Sequence, residues 1–268
     1  MNTVYDMLIV GGGPGGYTAA LYGARAGMSV LVLEKLSAGG QMVETPQIDN
    51  YPGIPEGIDG FTLGQNMQKG AEQFGAKTQF ATVLRLSLEG EIKTVETDAG
   101  NFYGKTVVIA TGAEPKKLGI PEETAYIGRG IHYCAACDGM FYRGKTVAVV
   151  GGGNTAVADA LMLSRVAAFQ SGELTVEDTI TGKTQEISCD GVFVAIGRKP
   201  ATELVKGSLR LDEQGYILAD ESTQTNIPGV FAVGDVRTKQ VRQIVTAVAD
   251  GAAAAYMAEE YLASAESE

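Results

Sequence analysis

The stretch "YDMLIVGGGPGGYTAALYGARAGMSVLVLEK" constrains this chain more than any other. An apolar run, a glycine cluster, a helix-forming segment and a second apolar run ending in an acid make one complete β–α–β unit. Gly11, Gly13 and Gly16 take the G-x-G-x-x-G spacing. The first glycine suits a tight turn, the second a close backbone approach to a pyrophosphate, and the third close packing of helix on strand, with the helix N-terminus facing the phosphates. Glu34 follows at about the 20-residue distance where a carboxylate can accept hydrogen bonds from ribose hydroxyls. A glycine pattern alone is as readily a strand-to-helix turn. The whole unit with its acid marks a dinucleotide site.

The pattern then recurs. "KTVAVVGGGNTAVADALMLSR" brings another strand, Gly151 and Gly153 with Ala156 in the third position, and a helix rich in alanine and leucine. Each half closes with an apolar strand, "TVVIATG" ending at Gly112 and "GVFVAIG" ending at Gly197. A candidate antiparallel ribbon precedes each, turning at "LEGE" and at "ITGK". The first interval runs from Gly16 to Gly112, but the second only from Ala156 to Gly197. A β–α–β unit takes about 30 residues or more before any ribbon is counted, so the second half is short. Past the helix ending near Arg165 there is room for a strand stub at Val166 to Phe169, then the ribbon, and for no further helix. The C-terminal stretch predicts a short strand ending at Gly234-Asp235, a polar loop, a long alanine-rich helix, and a frayed tail after Tyr261. Asp235 can hold a ligand hydroxyl or simply cap a turn.

Composition narrows the partners. A net charge of −11 repels polyanions, and no basic patch argues for nucleic acid. No run approaches a membrane span and no basic-then-apolar leader opens the chain, so the expectation is a cytoplasmic protein that does not insert into membranes. The 36 glycines follow no collagen-like period and sit at the ends of apolar runs, as turns do. Three cysteines make a poor disulfide framework. Two of them, Cys134 and Cys137, form a C-x-x-C directly before the second glycine loop, open to reading as a metal clip, a structural pair or a redox couple. Zinc needs four ligands, and the chain offers three cysteines and one histidine, with Cys189 distant, so no metal is expected. Cys189 reads as a small core residue at the head of a strand, and His132 as a packing residue beside the pair rather than a catalytic base.

Taken together, "GGGPGGYTAA", "GGQ" at 39–41, "IDNYPG" at 48–53, "ATG" at 110–112, "CAACDG" at 134–139, "GGGNTA" at 151–156, "VAIGRKP" at 194–200, "GVFAVGDV" and "RQI" at 242–244 resemble the low-molecular-weight, bacterial-type thioredoxin reductases. The resemblance spans nearly the whole chain. It implies an α/β fold of two Rossmann-like, three-layer domains, the second inserted in the first and truncated. Residues 1–113 and 201–268 would form the FAD-binding domain, and 114–200 the NADPH-type domain carrying the C-x-x-C. By the same resemblance Gly11, Gly13 and Gly16 approach the FAD pyrophosphate and Glu34 its adenosine ribose. Gly40 and Gln41 meet the phosphate and ribityl side, Gly112 at the end of its strand also binds FAD, and Asn50 meets the flavin ring. Asp235 holds the ribityl chain or phosphate. Arg242, Gln243 and Ile244 meet the isoalloxazine at the start of the last helix, whose positive end can stabilise a reduced, anionic flavin. Gly151, Gly153, Asn154 and Thr155 would take NADPH.

The resemblance also assigns Cys137 to receiving electrons, Cys134 to attacking the protein substrate, and Asp138 to protonating the departing thiolate. The implied activity is electron transfer from NADPH through FAD and the 134/137 disulfide to a thioredoxin-like protein, in a homodimer. The family's basic run after the second-domain helix, which pairs with the NADPH 2′-phosphate, is missing here. The same dithiol chemistry with another donor such as ferredoxin, or with a small-molecule dithiol, and a flavin-binding protein without turnover, remain as alternatives.

Overall fold

The computed structural model describes residues 3–121, 123–166 and 173–265. Two compact units share the chain, Met1–Glu114 with Lys199–Glu268, and Pro115–Arg198.

The first unit begins with β1 (Val4–Val10), α1 (Pro14–Arg25) and β2 (Val30–Glu34), then α2 (Gly60–Glu72), β3 (Lys77–Phe80), the ribbon strands β4 (Val83–Ser87) and β5 (Lys93–Thr97), β6 (Gly100–Ile109) and β7 (Ala113–Pro115). Its seven-stranded sheet runs β3-β2-β1-β6-β5-β4, and the late strand β14 (Val230–Ala232) also pairs β6. β1 lies parallel to β2 and to β6. The N-terminal half of β6 carries β5 antiparallel and its C-terminal end carries β14 parallel, so one long strand serves two neighbours on the same side.

Side-chain alternation divides the sheet into two cores. Met7, Ile9, Val30, Val32 and Val108 meet α1 and the last helix, α6 (Ile244–Ala265). Leu8, Val10, Leu31, Leu33, Val107 and Ile109 meet the ribbon and the segment holding Val205, Leu209 and Ile217. Because both faces are covered, these strands read as continuous apolar runs. Each such buried side chain contributes about 1.5–3 kcal/mol. α1 and α6 cross closely because Gly251 has no β-carbon to strike the Gly15 carbonyl oxygen. Of the tail expected to fray, 262–265 continue α6 to Ala265, and 266–268 fall outside the described residues. Tyr261 packs on the core, and its ring and hydroxyl meet the buried Lys93 ammonium, which anchors the last turns.

The second unit holds α3 (Glu123–Tyr126), β8 (Ile131–His132), α4 (Ala135–Asp138), β9 (Val147–Val150), α5 (Asn154–Leu163), the antiparallel ribbon β10 (Glu173–Glu177) and β11 (Thr184–Ser188) and β12 (Gly191–Val194), and the chain leaves it within β13 (Arg198–Pro200). Both expected ribbons are present, β4–β5 and β10–β11. Among the described residues the parallel sheet is three-stranded, ordered β8-β12-β9. β9 corresponds to β1 in sequence, yet all four of its residues are only half-buried, whereas the last four of β1 are buried. β1 has strands on both edges; among the described residues β9 has β12 on one edge and no strand on the other. Val166 lies in a turn after α5, and the rest of the expected strand stub, through Phe169, falls outside the described residues.

Candidate active site

The first glycine loop does what its spacing demands. Gly11 has φ +108°, and a β-carbon there would sit 2.5 Å from the Ala110 carbonyl oxygen. At Gly16 a β-carbon would overlap the Gly11 carbonyl oxygen, so the helix packs onto the loop only with glycine in place. Gly13, between them, faces open space. It is the N-cap of α1 and makes no side-chain cap, with Pro14 next, so the first-turn N–H groups remain available to an anion. Glu34, at the end of β2, accepts hydrogen bonds from the Gly12 N–H (2.6 Å) and the Leu36 N–H (3.0 Å), which holds its carboxylate beside the loop.

Residues far apart in sequence gather around this loop. Gly39 N–H donates to Gly12 O (2.8 Å), and a β-carbon on Gly40, which has φ +60°, would lie 3.2 Å from Gly13 Cα. The Gln41 amide donates to the Ala113 carbonyl and faces Gly112. Asn50 Nδ2 donates to Gln243 Oε1 at 3.2 Å, joining two of the expected flavin-ring residues immediately before α6 begins at Ile244. Arg242 stacks on the Tyr216 ring, 4.0 Å from its centroid, and donates to the carbonyls of Asp235 and Arg237. An open phosphate cradle, an uncapped helix end and an acid at the second strand's end fit FAD.

Sequence reasoning missed one support of this site. Asp250, buried in α6, accepts from Arg237 Nη2 (2.6 Å) and Nε (2.9 Å), from Lys239 Nζ (2.7 Å) and from the Gly234 N–H (2.8 Å). Burial pushes its carboxyl up, but the hydrogen bonds from Arg237 and Lys239 outweigh that and hold it below the ordinary range. The cluster clamps the turn that presents Asp235. Its signal was available: Asp250 is the lone charge between Ile244 and Ala258.

In the second unit Gly151 has φ +148°, and a β-carbon there would overlap the Ala195 carbonyl oxygen. Gly153 caps α5 without a side-chain bond, Gly152 and Gly153 face open space, and Asn154 and Thr155 lie exposed on the first turn. This half fits a dinucleotide's phosphates. The adenosine end is different. In the first unit β2 lies beside β1 and delivers Glu34, whereas β9 has no such neighbour among the described residues. Residues 166–182 contain no lysine or arginine to meet a 2′-phosphate. The basic run expected to meet the adenosine 2′-phosphate of NADPH therefore has no counterpart in that stretch, most of whose first part lies outside the described residues.

Cys134 caps α4 and is disulfide-bonded to Cys137 one turn later. The N–H groups of Cys137 and Asp138 both donate to the Cys134 carbonyl, at 3.2 and 3.0 Å. Asp138 Oδ2 lies 3.0 Å from His132 Nδ1, and His132 Nε2 lies 2.7 Å from the Tyr142 hydroxyl. His132 is buried and stacked on Phe193, so it packs as expected, and it also joins Asp138. Cys189 is buried just before β12, and burial, assisted by the Asp190 charge, pushes its thiol up.

Comparison with known proteins follows the same lines. The family model described as pyridine nucleotide-disulphide oxidoreductase matches residues 5–169 and 159–251. The thioredoxin reductase of Streptomyces clavuligerus is 42% identical, with 98% of this chain and 96% of that protein covered. That of Peptoclostridium acidaminophilum is 37% identical, with 98% of each covered. The crystal structure of thioredoxin reductase from Streptococcus pyogenes MGAS5005 superposes with a TM-score of 0.91 at 37% identity, over 98% of this chain and 100% of that one. The Streptomyces alignment spans 308 positions against 268 residues here, so that relative carries residues without a counterpart in this chain. The two parts of the family match overlap at 159–169, a stretch that begins within α5 and runs past its last residue, Leu163.

Proposed function

This chain belongs to the pyridine nucleotide-disulphide oxidoreductase family, and from that premise we propose that it is a flavin-dependent reductase of a thioredoxin-like protein's disulfide. The observation that carries the proposal is a C-x-x-C disulfide at the start of a helix, with a carboxylate next to it, on a chain whose other unit holds an FAD-type cradle. FAD, when bound, supplies an electron pair. Gly13 and the open N–H groups of α1 would hold its pyrophosphate, Glu34 its ribose, and Asn50 with Gln243 the side of the ring. The domain 1–113 with 201–268 takes the flavin, and 114–200 carries the dithiol.

On reduction the Cys134–Cys137 bond breaks and each sulfur gains one electron of the pair. Asp138, adjacent to Cys137, takes up a proton from solvent and passes it to the departing thiolate. Cys134 then attacks the partner's disulfide through its thiolate, and Cys137 resolves the mixed disulfide, which returns the starting bond and leaves the partner as a dithiol. FAD and NADPH serve the family as cofactors; here the second loop supports binding of the nucleotide's phosphates only. The family resemblance favours a homodimer in the cytoplasm. Among the described residues no helix is long and apolar enough to cross a membrane.

The test is Cys137→Ser. The variant should remain yellow, with FAD bound as in the parent, and lose thioredoxin reduction by more than about a thousandfold. Turnover retained in that variant, or a colourless parent protein with no affinity for FAD, refutes the proposal.

A further inference from the structure

His132 is the sole histidine of the chain, 5% exposed, at the end of β8. Three contacts fix its ring. Phe193 stacks on it with centroids 5.1 Å apart, Tyr142 meets it edge-on at 5.0 Å, and both ring nitrogens lie within hydrogen-bond distance of a partner. The two partners set the tautomer. An ionised Asp138 can only accept, so the proton it meets is on Nδ1, and Nε2 is left to accept from the Tyr142 hydroxyl, which burial and the charges of Asp138 and Asp190 keep protonated. Nδ1–H donates to Asp138 Oδ2 at 3.0 Å. Asp138 follows Cys137 directly, on a helix only four residues long. So short a helix does not by itself orient a side chain.

We propose that His132 is a positioning residue for disulfide turnover: through Nδ1–H it holds the Asp138 carboxyl at the sulfur pair, and Tyr142 keeps it in the tautomer that can do so. This rests on the functional proposal above. The chemistry is unchanged by it. Asp138 still passes one proton to the departing thiolate when the S–S bond is reduced, and the ring determines where that carboxyl points.

The experiment compares His132→Phe, His132→Asn and Tyr142→Phe with the parent in steady-state thioredoxin reduction. FAD content and thermal unfolding are recorded for each. Phenylalanine fills the ring's volume without a donor, and kcat should fall about tenfold or more while KM for thioredoxin stays within about twofold. Asparagine places an amide N–H near the Nδ1 position and should restore most of kcat. Tyr142→Phe keeps the edge-on packing but frees the tautomer, and should lower kcat by an intermediate factor. Parental kcat in a folded His132→Phe, or His132→Asn as slow as His132→Phe, overturns the proposal. If His132→Phe does not fold, parental kcat in Tyr142→Phe overturns it instead. Absence of turnover in the parent would instead sink the functional proposal on which this one depends.

Discussion

Replacing Asp250 with alanine probes the hidden support of the flavin site most directly. The carboxylate is bonded to Arg237, Lys239 and the Gly234 N–H, and all three side chains of the ion cluster are less than 10% exposed. Removing the shared acid leaves two buried cations facing each other and one backbone N–H without its acceptor. Breaking a buried pair by deleting one partner costs about 3–5 kcal/mol, and an orphaned buried N–H adds about 1 kcal/mol or more. Against a domain stability of about 5–15 kcal/mol, that is a large share. At about 2–4 °C per kcal/mol for a unit of this size, the melting temperature should fall by about 10 °C or more.

Melting followed by the fluorescence of released FAD and by circular dichroism would measure the loss. The flavin should leave with or before the fold, since Asp250 clamps the turn presenting Asp235. The acid limb gives a second check. Asp250 has its pKa lowered in the folded state, so its stabilisation is complete above the unfolded value of about 3.9 and disappears as pH falls through the lower folded value. Asp250→Ala should therefore lose less further stability than the parent on going from pH 5 to about 2. A melting temperature within about 2 °C of the parent, or an unchanged acid limb, would refute the reasoning.

Three further outcomes follow from the geometry. Gly13→Val projects into open space and should leave the fold intact while weakening FAD binding by about tenfold or more, read by flavin titration of the apoprotein; a pyrophosphate seated elsewhere would leave affinity unchanged. With no cation between 166 and 182 to meet a 2′-phosphate, anaerobic flavin bleaching should discriminate NADPH from NADH by less than about tenfold, and a preference of a hundredfold or more would show another residue reading that group. Thiol titration of the native oxidised protein should find almost no reactive thiol, because Cys189 is buried with its thiol pushed up, and two after reduction; a fast third thiol would contradict the packing at the head of β12.

Much of this protein is legible without coordinates. The glycine loops, the strands around them, the ribbons and the C-x-x-C are determined by neighbours in the chain. A left-handed turn at Gly11, a helix packed against its own loop at Gly16 and a thiol pair one turn apart are short-range demands that only certain residues meet. The short second half was also visible, as the small interval between Ala156 and Gly197. Other features depend on which distant segments meet. Asn50 reaches Gln243, Asp250 gathers Arg237 and Lys239, and Tyr142 and Phe193 enclose His132 against Asp138. A buried polar side chain is tolerated only where the fold brings it a partner. Aspartate in an alanine-rich helix and histidine before a cysteine therefore take on a role only when β-strands and helices from elsewhere close around them.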